Sequence, residues 1–160
     1  MAGSARFYSA DLGSFQEVRA LARAILRDYQ RLGVLINNAG IWLEGPRQAS
    51  ADGRAYAQSK LAQVMFTFDL AAELQGSGVT VNALHPATMM DTDMVLERGA
   101  QARTSVDEGT EAVLHLVNAP GLGTGGYFNQ MTPAQGNPQA YDEAARARLR
   151  ALAQRLTGEG

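Results

Sequence analysis

The 160-residue sequence contains no cysteine, which excludes disulfides, thiolate nucleophiles and cysteine-ligated metals. Nor does it hold any run of 18 consecutive apolar residues, the length a membrane-spanning helix needs. Neither sign of charge dominates: 14 Lys and Arg stand against 16 Asp and Glu, a net charge of −2. That balance removes the basic excess by which nucleic acid or an anionic membrane surface is attracted. Histidine is scarce. Of the two, His115 lies far from His85, and His85 with Asp91 and Asp93 matches no familiar ligand spacing, so no metal site is expected. Met1–Arg6 leads straight into an apolar run without a leader-type apolar segment. The expectation is a soluble, cytoplasmic protein with neither a nucleic-acid nor a membrane partner.

What remains is ordinary globular material, 46% hydrophobic and 19% charged, enough for a single domain over residues 1–160. Arg6–Ala10 reads as a first strand, and Ser14 with Glu17 as a capping box opening a helix. Val18, Leu21, Ala22, Ile25, Leu26 and Tyr29 form the apolar face of that helix, with Arg19, Arg23 and Arg27 opposite, and Gly33 closes it. Val34-Leu35-Ile36 reads as a second strand buried on both faces. Leu43–Arg54, with Gly45, Pro46, Ser50 and Gly53, reads as a loop, and Tyr56–Leu74 as a long helix. Val79–Leu84 gives a third strand, and Ser105 with Glu108 opens a helix that ends at Pro120. Gly126–Asn129 gives a fourth strand and Tyr141–Leu156 a final helix. Strands alternating with crossover helices predict an α/β fold: a parallel sheet of about four strands, in chain order, with helices on both faces.

Three places carry chemistry. Tyr56 and Lys60 lie four residues apart on a helix, so their side chains share one face. An ammonium beside a phenol favours the phenolate and equips it for acid–base work; the same spacing also occurs in ordinary surface pairs. Asn37-Asn38-Ala39-Gly40 follows a buried strand, at the edge where α/β sheets bind ligands, and Ala39 and Gly40 allow close approach to the backbone. It equally fits a strand-ending turn. His85-Pro86-Ala87-Thr88 occupies the same position on the third strand, where a backbone bend suits a flat amide. Gly121-Leu122-Gly123-Thr124-Gly125-Gly126 satisfies the G-x-G-x-x-G pattern, but it follows a helix and precedes a strand, the reverse of a phosphate loop.

Taken in order, Asp11-Leu12, Asn37-Asn38-Ala39-Gly40, Tyr56-x-x-x-Lys60 and Val79-Thr80-Val81-Asn82 leading to His85-Pro86 resemble the short-chain dehydrogenase/reductase family. Tyr56–Ala62 resembles its retinol-dehydrogenase-like branch, and the resemblance covers Arg6 to Leu156. It implies a shortened Rossmann-like fold and an NAD(P)-dependent oxidoreductase acting on a small-molecule carbonyl or secondary alcohol. It places Asp11 at the adenine and Asn37, Ala39 and Gly40 at the cofactor ribose. Tyr56 becomes the acid–base residue, and Lys60 binds the nicotinamide ribose and favours the phenolate. Pro86, Ala87 and Met89 hold the carboxamide, although the family usually has glycine at Ala87; Thr92 lies one position later than the family threonine. Met89, Met90 and Met94 border the substrate pocket or else pack as a lid.

Two departures accompany the likeness. Only five residues precede the first strand, so the family's initial glycine-rich βαβ unit, about 30 residues long, has no counterpart. Between the Asn-Asn-Ala-Gly and Tyr-x-x-x-Lys motifs only residues 41–55 intervene, too few for the helix and strand that bring the family's catalytic serine. Neither Ser50 nor Ser59 stands in its place. The expectation is therefore an impaired or inactive enzyme or, as the alternative, a non-catalytic remnant acting through a partner chain, including a second copy held by the 56–74 helix.

Overall fold

Side-chain caps at Ser14, Ser105 and Asp142 mark where three of the helices begin. The computed structural model describes residues 4–40, 54–97 and 99–158. Within them α1 spans Phe15–Asp28, α2 Arg54–Glu73, α3 Asp93–Leu96, α4 Val106–Asn118 and α5 Glu143–Thr157. Strands are β1 (Ala83–His85), β2 (Tyr127–Asn129) and β3 (Thr132–Ala134). The capping box at Ser105 is complete: Ser105 Oγ accepts from the Glu108 N–H at 3.1 Å, and Glu108 Oε2 accepts from the Ser105 N–H at 2.7 Å. At α1 only half of the box forms. Ser14 Oγ accepts from the Glu17 N–H at 3.4 Å, but Glu17 Oε2 takes its proton from the Asp11 N–H at 2.6 Å. Asp142 caps α5, and Gly158 closes it in the left-handed conformation at φ 73°.

Contacts divide the chain into two units, Met1–Asn38 and Ala39–Gly160. In the first, α1 stops at Asp28, earlier than Gly33. Asp28 explains the frame of this unit. Its carboxylate accepts from Tyr8 Oη at 2.8 Å and pairs with Arg6 at 3.0 Å and Arg27 at 3.3 Å. The Tyr8 bond, with help from both guanidiniums, holds the Asp28 carboxyl below its usual range. Desolvation and the same bond push the Tyr8 phenol up to about 12. None of the described residues 4–38 is buried, and Leu26 is 77% exposed. A helix of this length with no fully buried residue is marginal in water. Backbone amides of α1 are therefore expected to exchange with deuterium faster than those of α2 and α5; equal protection would contradict this reading.

The sheet corrects two of the expected strands. Arg6–Ala10 and Val34–Ile36 form no strand, and Leu35 is 69% exposed rather than buried. A short apolar run becomes a strand only when neighbours complete its ladder, and the described sheet has three members in the order β1-β2-β3. β1 and β2, the expected third and fourth strands, pair in parallel with Ala83 opposite Tyr127 and His85 opposite Asn129. β3 was not anticipated and runs antiparallel to β2, so the sheet is mixed. Of the expected loop at Leu43–Arg54, residues 43–53 lie outside the described residues, while Arg54 already opens α2. At the level of class the expectation holds: the chain is α/β, a shortened Rossmann-like arrangement.

The second unit has two packing centres. Met65 of α2 is buried with Ala140 and Ala145, flanked by Leu61, Val64, Phe68 and Leu149. Burying a methionine side chain contributes about 1.5–3 kcal/mol. Phe68 meets Tyr141 with ring centroids 5.0 Å apart. Asp69 of α2 receives Arg146 Nε at 2.8 Å and Arg150 at 2.7 Å, which ties α2 to α5. On the sheet side, the glycine run leads into β2 as its context requires. Gly121, Gly123 and Gly125 take φ of 76°, 74° and 77°, while Asn82 and Thr124 bind the connection to the chain before β1.

Candidate functional site

The first two turns of α2 present Tyr56 and Lys60 on one face, both half-buried. Lys60 Nζ lies 5.7 Å from the Tyr56 ring centroid, a cation–π approach. The same ammonium donates to the Ala39 carbonyl at 3.4 Å. Gly40 completes the group. A Cβ placed there would stand 3.1 Å from Lys60 Nζ and 3.5 Å from Tyr56 Cε2, so a larger residue would press on the end of the Lys60 side chain. Sequence spacing anticipates the Tyr56–Lys60 geometry but not the tether to Ala39, since a side chain's bond to a distant carbonyl leaves no local pattern. Ser59 is occupied elsewhere: its hydroxyl donates to the Tyr56 carbonyl at 2.7 Å. Ser50 and Trp42 lie outside the described residues.

The second group of expected site residues follows β1, which packs against α2. Pro86 is half-buried, Ala87 is 7% exposed, and Met89 sits in the left-handed region at φ 52°. His85 Nε2 and Thr88 Oγ1 are 3.0 Å apart. Thr92 precedes α3 as its N-cap residue, with its N–H donating to the Met90 carbonyl at 2.7 Å. Thr104 and Asp91 also hold this loop, and sequence reading did not single them out for that role.

Asp11 and Asn37 belong to the first unit. Asp11 is engaged in the turn before α1: Oδ1 accepts from the Gly13 N–H at 2.8 Å and its carbonyl from the Ser14 N–H at 3.1 Å. Asn37 is exposed. Ala39, Gly40, Tyr56, Lys60, Pro86, Ala87 and Met89 all lie in the second unit. Among the described residues no group of three or more His, Asp or Glu side chains gathers as a metal site, and no helix is long and apolar enough to cross a membrane.

For a nicotinamide ribose the group around Gly40 offers an aromatic face at Tyr56 and an ammonium donor at Lys60. For a pyrophosphate the described residues offer no glycine turn leading from a strand into a helix; the one glycine-rich run leads into β2.

The short chain dehydrogenase family matches residues 46–103. Human retinol dehydrogenase 13 is 28% identical over 223 residues, covering 92% of this chain and 67% of its own length. Human retinol dehydrogenase 14 is 26% identical over 220 residues, with 92% and 65% covered. WW domain-containing oxidoreductase of Pongo abelii is 33% identical over 116 residues, 66% of this chain and 28% of that protein. The chain thus spans about two thirds or less of the length of these relatives. A match of 223 residues also exceeds this chain's 160, so the relative carries intervening segments that have no counterpart here. No solved structure matches the chain.

Proposed function

Because the chain belongs to the short-chain dehydrogenase/reductase family, in its retinol-dehydrogenase-like branch, we propose that it is an NAD(P)-dependent oxidoreductase domain for a small carbonyl or secondary alcohol, with turnover impaired or lost in this chain. The observation that carries the reading is the convergence of Tyr56, Lys60, Ala39 and Gly40 in one group. A nicotinamide cofactor bound there supplies or accepts the hydride. Tyr56 Oη delivers the proton to the carbonyl oxygen, or takes it from the alcohol, and the Lys60 ammonium favours the phenolate form. Lys60 also donates to the ribose, with Ala39 and Gly40 along the sugar and Pro86, Ala87 and Met89 at the carboxamide. Residues 1–160 then act as one incomplete Rossmann-like domain, in a cytoplasmic setting with which a cysteine-free composition is compatible.

The impairment rests on what is absent between Gly40 and Tyr56. Residues 41–55 are too few for the helix and strand that bring the family's serine, and without that donor the developing oxyanion loses about 2.7–4 kcal/mol of transition-state stabilisation. A second reading, a non-catalytic remnant associating with a partner chain, draws on Phe66, which α2 leaves 54% exposed.

Titration with NADH and NADPH, read by nicotinamide fluorescence, tests the first reading. Saturable binding is expected, abolished by Gly40→Trp and retained by Tyr56→Phe. A flat titration from folded protein would move the chain to the second reading, which light scattering then checks through its oligomeric state.

A further inference from the structure

We propose that Thr104 is a positioning residue for the cofactor-side bend Pro86–Met89: it clasps the bend to the N-terminus of α4 and holds Met89 in the conformation that lets the bend select a nicotinamide carboxamide. The role of the bend itself rests on the function proposed above. The clasp rests on the geometry alone.

Met89 is the reason a clasp is needed. A non-glycine residue at φ 52° is strained and persists only where its surroundings over-determine it. Here they do so from both ends. Thr88, one residue earlier, is held twice: its hydroxyl lies 3.0 Å from His85 Nε2, and its carbonyl accepts from Thr104 Oγ1 at 2.8 Å. The Met89 carbonyl accepts from the Arg103 N–H at 2.9 Å. Met90 and Thr104 form an isolated parallel bridge, within which the Asp91 N–H donates to the Thr104 carbonyl at 3.2 Å. The Asp91 carboxylate then accepts from the Val106 N–H at 2.6 Å, in the first turn of α4, where a negative charge is favoured. Met90 packs so closely on Gly109 that any side chain there would collide with its sulfur.

Residues 88–91 and 103–106 thus form a neck, and Thr104 is the member whose side chain reaches across it to the bend. A flat amide is recognised by main-chain donors and acceptors only when the torsions around them are fixed, because each fluctuation misaligns the pair of hydrogen bonds the amide makes. Thr104 touches neither cofactor nor substrate in this account. It acts through Thr88 and Met89.

The test compares Thr104→Val, which removes the hydroxyl and keeps the shape, with Thr104→Ser, which restores it. Deuterium exchange reads the clasp: in Thr104→Val, amides of 89–92 and 103–106 should exchange about tenfold faster, those of 127–134 staying unchanged. Unchanged exchange at the neck overturns the clasp. Binding reads the positioning: NADH and NADPH should weaken about tenfold, the size of one lost hydrogen bond, while ADP-ribose, which lacks the carboxamide, stays within about twofold. Recovery of NADH affinity in Thr104→Ser supports the role. Equal weakening of NADH and ADP-ribose overturns it in favour of a general structural one. A wild-type protein that binds neither dinucleotide overturns the positioning role together with the proposed function, leaving the exchange data to judge the clasp alone. Should Thr104→Val fail to fold, Asp91→Ala cuts the same neck at its other end and carries the same expectations.

Discussion

Tyr56→Phe is expected to lower any carbonyl reduction the protein supports by about 10²- to 10⁴-fold, with the affinity for NADH and NADPH unchanged. Only the hydroxyl is removed. The ring that faces Lys60 Nζ at 5.7 Å remains, and so does the bond from Lys60 to the Ala39 carbonyl. Binding and proton transfer are therefore separable at this residue, and the loss should fall on kcat rather than KM. Lys60→Met is the contrasting case. It removes the tether to Ala39 and the proposed ribose donor together, so affinity and turnover should both fall. Equal activity in wild type and Tyr56→Phe across a panel of aldehydes and ketones would remove Tyr56 from the chemistry. A wild-type rate no higher than that of buffer would leave the chain to the non-catalytic reading.

Local signals proved legible and long-range ones did not. Ser14 and Ser105 mark their helices because a cap is a matter of a few consecutive residues. Tyr56 and Lys60 share a face because helical geometry dictates it. Val34-Leu35-Ile36 shows the opposite case. Its composition is that of a buried strand, but pairing is a property of partners, and a three-residue run carries no information about whether they exist. The β2–β3 hairpin was hidden for another reason. Its two-residue turn is Gln130-Met131, with Gln130 at φ 54°, where Asn-Gly or Asp-Gly is the usual signal. Pro133 then disguises β3, and is tolerated because β3 is an edge strand. In the site, Gly40 could be recognised as a place of close approach, but the ammonium it makes room for arrives from twenty residues further on. Thr104 is less visible still. It stands beside a strong cap at Ser105 and acts through a carbonyl sixteen residues earlier.

Asp69 yields the clearest effect on stability. Burial would raise its carboxyl, but the hydrogen bonds from Arg150 and Arg146 outweigh that and hold it below the usual range. The side chains of Asp69 and Arg146 are 16% and 17% exposed, whereas Arg150 is 55% exposed and screened by water. Most of the stabilisation therefore comes from Arg146, which also donates to the Ala140 carbonyl at 3.0 Å and so ties the turn before α5 into the same packing centre. Asp69→Asn keeps the shape and removes the charge, and is expected to cost about 1–2 kcal/mol at neutral pH. The sign with pH follows from the depressed carboxyl. Its contribution is complete above the unfolded aspartate value of about 3.9, and is lost as the pH falls from there through the lower folded value. Denaturant melts of wild type and Asp69→Asn should differ at pH 7 and converge under acid. A constant difference across that range would mean that the loss is one of packing rather than charge. No difference at pH 7 would mean that the two arginines pair elsewhere as readily, and that α2 and α5 are joined by the Met65 cluster alone.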